Sequence, residues 1–312
     1  MRAAFIRTLL KMAESDDRIY LVVGDLGYSI IEPFVARFPT RYLNVGVAEQ
    51  NMTGIAAGMA LCGKVVFTYS IANFPTLRCV EQIRNDVCYH NADVKIVSVG
   101  GGLAYGALGI THHATEDIAV MRALPRTVVV APGDPLEAEL ATRAIVEQPG
   151  PCYLRLGKSG EPRIHEPGVD FRLGKAITVR EGDDLCLIAT GSMLYSAAQV
   201  AELLCREGIQ ARVLSMHTIK PLDTDAVLAA ARETSAIVTI EEHSVTGGLG
   251  SAVAETLAEA SGFSVPFRRV GLPPTFTSLV GNHEYLKQAY SLSVEGIRRS
   301  LEPILQQVRS SR

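Results

Sequence analysis

The sequence predicts an α/β protein of two domains, each a mainly parallel β-sheet flanked by helices. Its 312 residues suffice for two domains of ordinary size. Short continuous apolar runs alternate with helical patterns, and such runs are typical of parallel strands that helices cover on both faces. The segment 156–175 holds four glycines and two prolines without a sustained helical or strand period, as is usual for a linker. We therefore predict a first domain at 1–158, a linker at 159–175 and a second domain at 176–312.

The elements of the first domain follow from its apolar runs and its helix start signals. An amphipathic helix opens the chain, and apolar runs predict strands at 18–25, 64–70, 93–101, 126–134 and 152–157. Asp134 followed by Pro135 is a helix cap with proline at the first helical position. Thr115 offers another cap, because Glu116 and Asp117 would place acidic residues in the first helical turn.

The same alternation returns in the second domain. Strands are predicted at 184–192, 211–219, 236–243 and 265–271. The helix from Met193 to Arg206 is closed by Gly208, and others begin at Asp223 and after the glycines of 246–250. One amphipathic helix is predicted to run to the C-terminus.

The composition narrows the classes of function. With 47% apolar and 20% charged residues, the balance is that of a soluble globular protein. A net charge of -3 without long runs of like charge argues against binding to nucleic acid or to an anionic membrane surface. No segment has the apolar length of a membrane span or signal peptide, so we expect a cytoplasmic protein. The six cysteines form no C-x-x-C pair, which favours reduced thiols over disulfides or a zinc site.

Glu49 stands at the start of an unusual helix in "NVGVAEQNMTGIAAGMAL", residues 44–61. A glutamate in a first turn is favoured by the helix dipole, and this is one interpretation. The other comes from the small residues that follow it, since a helix rich in glycine and alanine suits the close approach of another backbone. In such a desolvated seam Glu49 would keep its proton and could share it with a buried heterocycle.

Several blocks of the chain, in order, resemble the C-terminal half of transketolases. They are "LNVGVAEQNMTGIAAGMALCGK", "VFTYSIANFPTLRCVEQIRNDV", "GALGITHHATEDIAVMRALPRTVVVAPGDPLEAE", "CYLRLGK" and "IVTIEEHSVTGGLGSAVAE". The resemblance runs through essentially the whole chain. It implies a pyrimidine-binding domain followed by a transketolase C-terminal domain, as in split transketolases and in 1-deoxyxylulose-5-phosphate synthase.

The resemblance implies thiamine diphosphate as cofactor and gives Glu49 a catalytic role. In the family, the glutamate of the "VAEQN" block pairs with the aminopyrimidine ring nitrogen of that cofactor. An aromatic side chain from the next block packs against the same ring. The family's usual aromatic positions fall here on Ala72 and Pro75, so Phe74 is the candidate, with Tyr69 behind it. A core aromatic at a strand end is the structural alternative.

The "THH" block places His112 where the family has a histidine that contacts substrate. The resemblance implies a substrate contact or a proton-transfer role for His112, and His113 is left unassigned. Two histidines without a third ligand are more often a polar loop than a zinc site. The loop also departs from the family, with Leu108 at the position of an aspartate that binds a donor hydroxyl and Gly100 at that of a histidine.

Three arginines are candidates for substrate contacts. Arg155 in "YLRLG" matches an arginine that binds an acceptor phosphate in the family, and a guanidinium fork suits that role. An arginine that only packs at a strand end is the alternative. Arg78 and Arg2 are the other candidates, although Arg2 lies beside the N-terminus. For the "EEH" at 241–243, a strand end that turns into a glycine-opened helix is the favoured interpretation.

One element of a thiamine diphosphate enzyme is missing from the sequence. The Gly-Asp-Gly strand end and later asparagine that hold the Mg²⁺ and diphosphate are not present, and Mg²⁺ needs such oxygen ligands. We therefore expect no metal site in this chain. The expected partner is an N-terminal transketolase-like subunit that carries this motif and binds Mg²⁺, in a heterotetramer with interfacial active sites.

The implied activity is the transfer of a two-carbon, glycolaldehyde-type unit from a ketose phosphate donor to an aldose acceptor. Decarboxylating 2-oxo acid chemistry is an alternative, either like that of 1-deoxyxylulose-5-phosphate synthase or like a 2-oxo acid dehydrogenase beta subunit. A noncatalytic scaffold subunit is a further alternative.

Overall fold

The structure, a computed structural model, describes residues 1–262 and 264–310. Its strands are β1 (Ile19–Val23), β2 (Tyr42–Asn44), β3 (Val65–Ile71), β4 (Val94–Val99), β5 (Val128–Val130), β6 (Cys152–Leu156), β7 (Ile177–Arg180), β8 (Leu185–Ala189), β9 (Ala211–Ser215), β10 (Thr218–Lys220), β11 (Ile237–Ser244) and β12 (Phe267–Leu272). Its α-helices are α1 (Arg2–Ser15), α2 (Glu32–Arg37), α3 (Glu49–Leu61), α4 (Val80–Gln82), α5 (Asp117–Ala123), α6 (Pro135–Glu147), α7 (Met193–Arg206), α8 (Thr224–Glu233), α9 (Leu249–Glu259), α10 (His283–Ala289), α11 (Val294–Ser300) and α12 (Glu302–Ser310).

Two mainly parallel sheets form the core, which confirms the predicted fold class. In the described part of the chain, the first sheet has seven strands in the order β10-β5-β6-β4-β3-β1-β2, and only β10 is antiparallel to its neighbour. The second has five strands in the order β12-β11-β8-β9-β7, with β7 antiparallel to β9. Every residue of β4, β6, β8 and β11 is buried, because helices cover both faces of the sheets.

The apolar run at 211–219, which the sequence predicts as one strand, is two strands in different sheets. β9 pairs with β8 in the second sheet, whereas β10 pairs with β5 at the edge of the first. The chain changes sheets at Met216 and His217, whose backbone groups bond to Ala189 and Ala131. The single-strand prediction is wrong because an apolar run does not show which sheet each half joins.

Most helix start signals are confirmed, and one is wrong. The side chains of Asp134 and Asp223 accept hydrogen bonds from the N–H groups of Glu137 and Ala226, as helix caps do. Thr115 does not cap α5. That helix begins at Asp117 and has no side-chain cap among the described residues.

The predicted closing helix is in fact three helices, α10, α11 and α12. New caps interrupt it, because Asn282 and Ser293 accept hydrogen bonds from the N–H groups of Tyr285 and Gly296. Residues 311 and 312, the end of the predicted second domain, lie outside the described residues. Within the described part of the chain, none of the helices combines the length and the apolarity that a membrane span requires.

The segment 157–176, fully described, contains neither helix nor strand but is tied to the sheets around it. His165 Nε2 lies 2.7 Å from Glu137 Oε1, and the His165 N–H donates to Asp134 at 2.9 Å. The Phe171 ring stacks on His217 at a centroid distance of 4.0 Å. The domain boundary at 159–175 stays a prediction.

Candidate active site

Glu49 is the first residue of α3, as the sequence predicts, and only 4% of it is exposed. Its Oε2 accepts a hydrogen bond from Arg78 Nη1 at 3.2 Å. Its Oε1 is buried and has no hydrogen-bonding partner among the described residues. A buried carboxylate oxygen without a partner is costly. Its presence beside a half-exposed arginine indicates a place where another group binds.

Phe74 and His112 continue the contacts that begin at Glu49. The Arg78 guanidinium lies 4.0 Å from the centroid of the Phe74 ring, in a cation–π contact. The Phe74 ring in turn meets His112 edge to face, with centroids 5.1 Å apart. The structure therefore brings together four predicted site residues, Glu49, Arg78, Phe74 and His112.

The protonation of His112 follows from these surroundings. Burial lowers the pKa of the His112 imidazole, and the positive charge of Arg78 lowers it further. At neutral pH the ring is therefore uncharged, so that it can accept a proton or a hydrogen bond at one nitrogen and donate at the other.

His113, which the sequence leaves unassigned, anchors the loop. It is buried, and its Nδ1 lies 2.6 Å from the Thr277 hydroxyl, in the loop after β12. Asn73 donates a hydrogen bond to its backbone carbonyl. These contacts fix the position of His112 from both sheets.

Tyr69 and Arg2 form a second group, centred on Tyr105, which the sequence alone did not reveal. Tyr69 is buried and stacked on Phe5 at 6.0 Å. Burial raises its pKa to about 12, although the nearby Arg2 opposes the rise. Neither the Tyr69 hydroxyl nor Arg2 Nε has a hydrogen-bonding partner among the described residues. Tyr105 lies near Arg2 and 6.3 Å from His112, so it connects this group with the first.

Gly100 explains why Tyr105 can occupy its position. Gly100 has a φ of +81°, and a Cβ atom there would lie 2.1 Å from the Tyr105 ring. The ring thus fills the space that a side chain at position 100 would need. The family that the sequence resembles has a histidine at the position of Gly100. This difference is the only signal in the sequence that points to Tyr105.

Arg155 is held inside the protein. It is 5% exposed, and its Nε donates to Asp117 Oδ2 at 2.7 Å. Its Nη2 also donates to the backbone carbonyls of Ala114 and Glu242, at 2.9 and 3.0 Å. Gly101 is required here, since a Cβ on it would lie 2.6 Å from Arg155 Nε. These contacts favour the structural alternative for Arg155 and do not support a phosphate contact.

Glu241 also has structural contacts. Its carboxyl group is buried and accepts hydrogen bonds from the N–H groups of Leu249 and Gly250 at the start of α9, each at 2.7 Å. Burial raises its pKa to about 7, against the effect of these hydrogen bonds. This agrees with a strand end that turns into a helix.

The outer face of α3 is open. Gly54 and Gly58 are exposed, and apart from adjacent residues and the nearby backbone of the same helix, no described atom lies within 4 Å of a Cβ built on either. Val47 and Leu61, at the two ends of this face, are 74% and 61% exposed. A shallow hollow of about 420 Å³ lies beside Glu49 and Arg78 at one end. The surface next to the buried acid could therefore receive another chain.

The fold and the site define a class, a two-domain α/β protein whose acidic site opens onto an uncovered small-residue helix. The chain belongs to the transketolase family. The family model for the transketolase pyrimidine binding domain matches residues 1–162, and that for the transketolase C-terminal domain matches residues 174–297. The resemblance seen in the sequence blocks is thereby confirmed.

Individual relatives share most of their length with this chain. It is 42% identical to one subunit of the apulose-4-phosphate transketolase of Phocaeicola vulgatus, over 95% of this chain and 94% of that protein. It is 40% identical to one subunit of the 6-deoxy-6-sulfo-D-fructose transketolase of a Clostridium species, over 97% and 94%. A solved structure of a split-gene transketolase, an inactive β4 tetramer, is 36% identical and superposes with a TM-score of 0.87, covering 98% of each chain.

Proposed function

We propose that this chain is the C-terminal subunit of a split, thiamine diphosphate-dependent transketolase. The enzyme would transfer a two-carbon unit from a ketose phosphate to an aldose. The observation that carries the proposal is Glu49 Oε1, a buried carboxylate oxygen without a partner among the described residues, at the edge of an open surface.

The residues around Glu49 fit the cofactor that the family implies. When bound, thiamine diphosphate would supply the carbanion chemistry needed to break one carbon–carbon bond and form another. Arg78 holds Oε2, which leaves Oε1 free to share a proton with a ring nitrogen of the cofactor. The exposed side of Phe74 would pack against the same ring.

His112 is the proposed proton carrier on the substrate side. Its uncharged imidazole suits both the acceptance and the donation of a proton at neutral pH. Tyr69 lies farther back in the core, and it supports the wall of the site rather than forming its surface. Arg2 and Arg78 remain the candidates for contact with an anionic substrate group, whereas the buried Arg155 is better assigned to the structure.

The partner would be an N-terminal transketolase-like subunit that carries the Gly-Asp-Gly…Asn motif and binds Mg²⁺ and the diphosphate. Two observations support it. The outer face of α3 is open, and a relative that matches over nearly its whole length is itself one subunit of a transketolase. We propose a heterotetramer in which each active site receives Glu49 from this chain. The cytoplasmic location stays a prediction.

The substrate class follows from the relatives. One acts on apulose 4-phosphate and another on 6-deoxy-6-sulfo-D-fructose, and both of these sugars carry a terminal anionic group. We propose a phosphorylated ketose as donor here. Leu108, 55% exposed in the His112 loop, cannot bind a donor hydroxyl as the aspartate of the family does, so the decarboxylating reaction is kept as the alternative.

The test is reconstitution with the N-terminal subunit. We expect Glu49→Gln to lower turnover by about 10²- to 10⁴-fold without a loss of folding. The matched control is Glu147→Gln, at an exposed glutamate of α6, which should keep full activity. Full turnover of Glu49→Gln would support the scaffold alternative. Product assays with a ketose phosphate and with a 2-oxo acid separate the transfer and decarboxylation hypotheses.

A further inference from the structure

A cavity of about 730 Å³ lies between the two sheets, and its described lining includes none of Glu49, Phe74, Arg78 and His112. One wall is formed by the loop after β4 and by the segment 157–162, and the other by the start of α7 with α10 and α11. Its volume suits a small metabolite. The polar side chains that line it include Ser159, Ser192, Ser196, Asn282, Gln288 and Ser293. Such walls offer hydrogen bonds to a ligand with several hydroxyl groups.

His283 and Ser192, which line this cavity, both bind the carboxylate of the buried Glu242 behind them. Glu242 accepts hydrogen bonds from His283 Nε2 at 2.7 Å, from the Ser192 hydroxyl at 2.8 Å and from the Leu103 N–H at 2.6 Å. Burial would raise the pKa of the Glu242 carboxyl, but the charge of His283 and these donors hold it at about 2. These contacts fix the Leu103 loop against α7 and α10. The cavity therefore has a rigid base.

The other carboxylates at the cavity are mostly neutralised. Glu161 accepts from the N-terminal ammonium group of Met1 at 2.7 Å, and Glu284 pairs with Lys287 at 2.7 Å. Glu295 is exposed in the first turn of α11, where the helix dipole favours it. A bound anion would thus meet little repulsion from the walls.

Lys158 is the cation available for such an anion. Its ammonium group lies 4.7 Å from the centroid of the Tyr105 ring and pairs with no carboxylate among the described residues. The backbone N–H groups of residues 158–161 also donate to no described residue. A lysine beside free backbone donors in a glycine-containing turn suits a phosphate group.

We propose that this cavity is a second ligand site, which binds a small phosphorylated polyol with its phosphate at Lys158 and its hydroxyls on the serine and asparagine side chains. The ligand would act as an effector. Lys158 lies over the Tyr105 ring, whose centroid is 6.3 Å from the centroid of the His112 ring. A ligand bound at Lys158 is therefore linked to the active site through the Tyr105 side chain. Binding does not depend on the proposed function, whereas the effect on turnover rests on it.

Calorimetric titration of the full chain with D-ribose 5-phosphate, D-ribose and inorganic phosphate tests binding. We expect one saturable site for ribose 5-phosphate and weaker binding of the other two probes. Lys158→Ala should weaken the site by about tenfold or more, whereas Lys11→Ala, at an exposed lysine of α1, should leave it unchanged. Circular dichroism checks that both variants are folded.

Three results would overturn the site as proposed. One is the absence of saturable binding to the wild-type chain. Another is equal affinity for inorganic phosphate, which would remove the polyol from the proposal. The third is loss of binding in Arg2→Ala but not in Lys158→Ala, which would place the ligand at the predicted active-site arginine. In the reconstituted enzyme, turnover of the wild type that does not respond to saturating ligand would exclude the effector role, whether or not Glu49 is catalytic.

Discussion

Replacing Arg155 with methionine is the most direct test of whether this arginine is structural. The side chains of Arg155 and Asp117 are 5% and 0% exposed, and their closest atoms are 2.7 Å apart. Removing one partner of such a pair leaves a buried charge without compensation, which costs about 3–5 kcal/mol. The Tyr153 hydroxyl still donates to Asp117 at 2.5 Å, but it carries no charge to balance the carboxylate. We therefore expect Arg155→Met to lower the free energy of unfolding by that amount.

Urea unfolding of the isolated chain, followed by far-ultraviolet circular dichroism, measures this loss. Tryptophan fluorescence is excluded because the chain contains no tryptophan. A loss of this size shifts the midpoint by about 1 M urea or more. The matched control is Arg172→Met, because Arg172 and Asp170 form an arginine–aspartate pair with both side chains 73% exposed. That pair should contribute about 0–1 kcal/mol.

The opposite outcome would refute the structural assignment. If Arg155→Met unfolds at the same urea concentration as the Arg172 control while the KM for a phosphorylated acceptor rises, Arg155 acts on substrate. A second variant strengthens the test. Adding Asp117→Asn to Arg155→Met removes the unpaired charge, so it should recover part of the lost stability.

Three further predictions concern the acid, the subunit surface and pH. Arg78→Met should lower kcat/KM of the reconstituted enzyme by about 10²-fold, because Glu49 loses its orienting partner. Arg78→Lys should keep part of the wild-type kcat/KM. Equal activity of all three proteins in steady-state assays would show that Arg78 does not belong to the site. Gly58→Trp should leave the isolated chain folded but prevent its association with the N-terminal subunit in sedimentation experiments. Gly58→Ala, the control, should still associate. Assembly of the tryptophan variant would mean that this face of α3 is not the subunit interface. Burial alone would lower the pKa of His165, but the hydrogen bond and charge of Glu137 raise it above the ordinary value. The stabilisation from the His165–Glu137 pair is therefore complete below the unfolded-state pKa of about 6.5, and it is lost as the pH rises through the folded-state pKa. A His165→Gln variant whose urea midpoint varies with pH as that of the wild type does would contradict this prediction.

Local signals predicted those parts of the fold that depend on local interactions. The helix from Met193 to Arg206 and its closure by Gly208, with a φ of +81°, follow from periodicity and from the conformational freedom of glycine. Asp134 caps α6 because its side chain reaches the N–H of Glu137, the third residue of the same helix. The change of sheet at Met216 could not be predicted, since it depends on pairing with β5, about ninety residues earlier in the chain.

The same distinction applies to the site. Glu49 could be predicted as a site residue because it is an acidic residue at the start of a helix of small residues. The surrounding block also resembles a known family. From the sequence, Arg155 is a candidate for a substrate contact and Asp117 is a residue of a first helical turn. Only the structure shows that their side chains form an ion pair. Tyr105 was missed because its role depends on the space beside Gly100, which no spacing in the sequence reveals.

The Glu49 carboxylate also gives a reason for the chain to associate. An unsatisfied buried polar atom costs about 1–3 kcal/mol, and Oε1 bears this cost in the isolated chain. Arg78 cannot relieve it, because its hydrogen bond goes to Oε2 and its guanidinium rests on the Phe74 ring. A group that donates to Oε1, or that shares its proton, recovers this free energy on binding. Since the open face of α3 begins at the same residue, cofactor binding and subunit association should favour each other, and each should be weaker in Glu49→Ala.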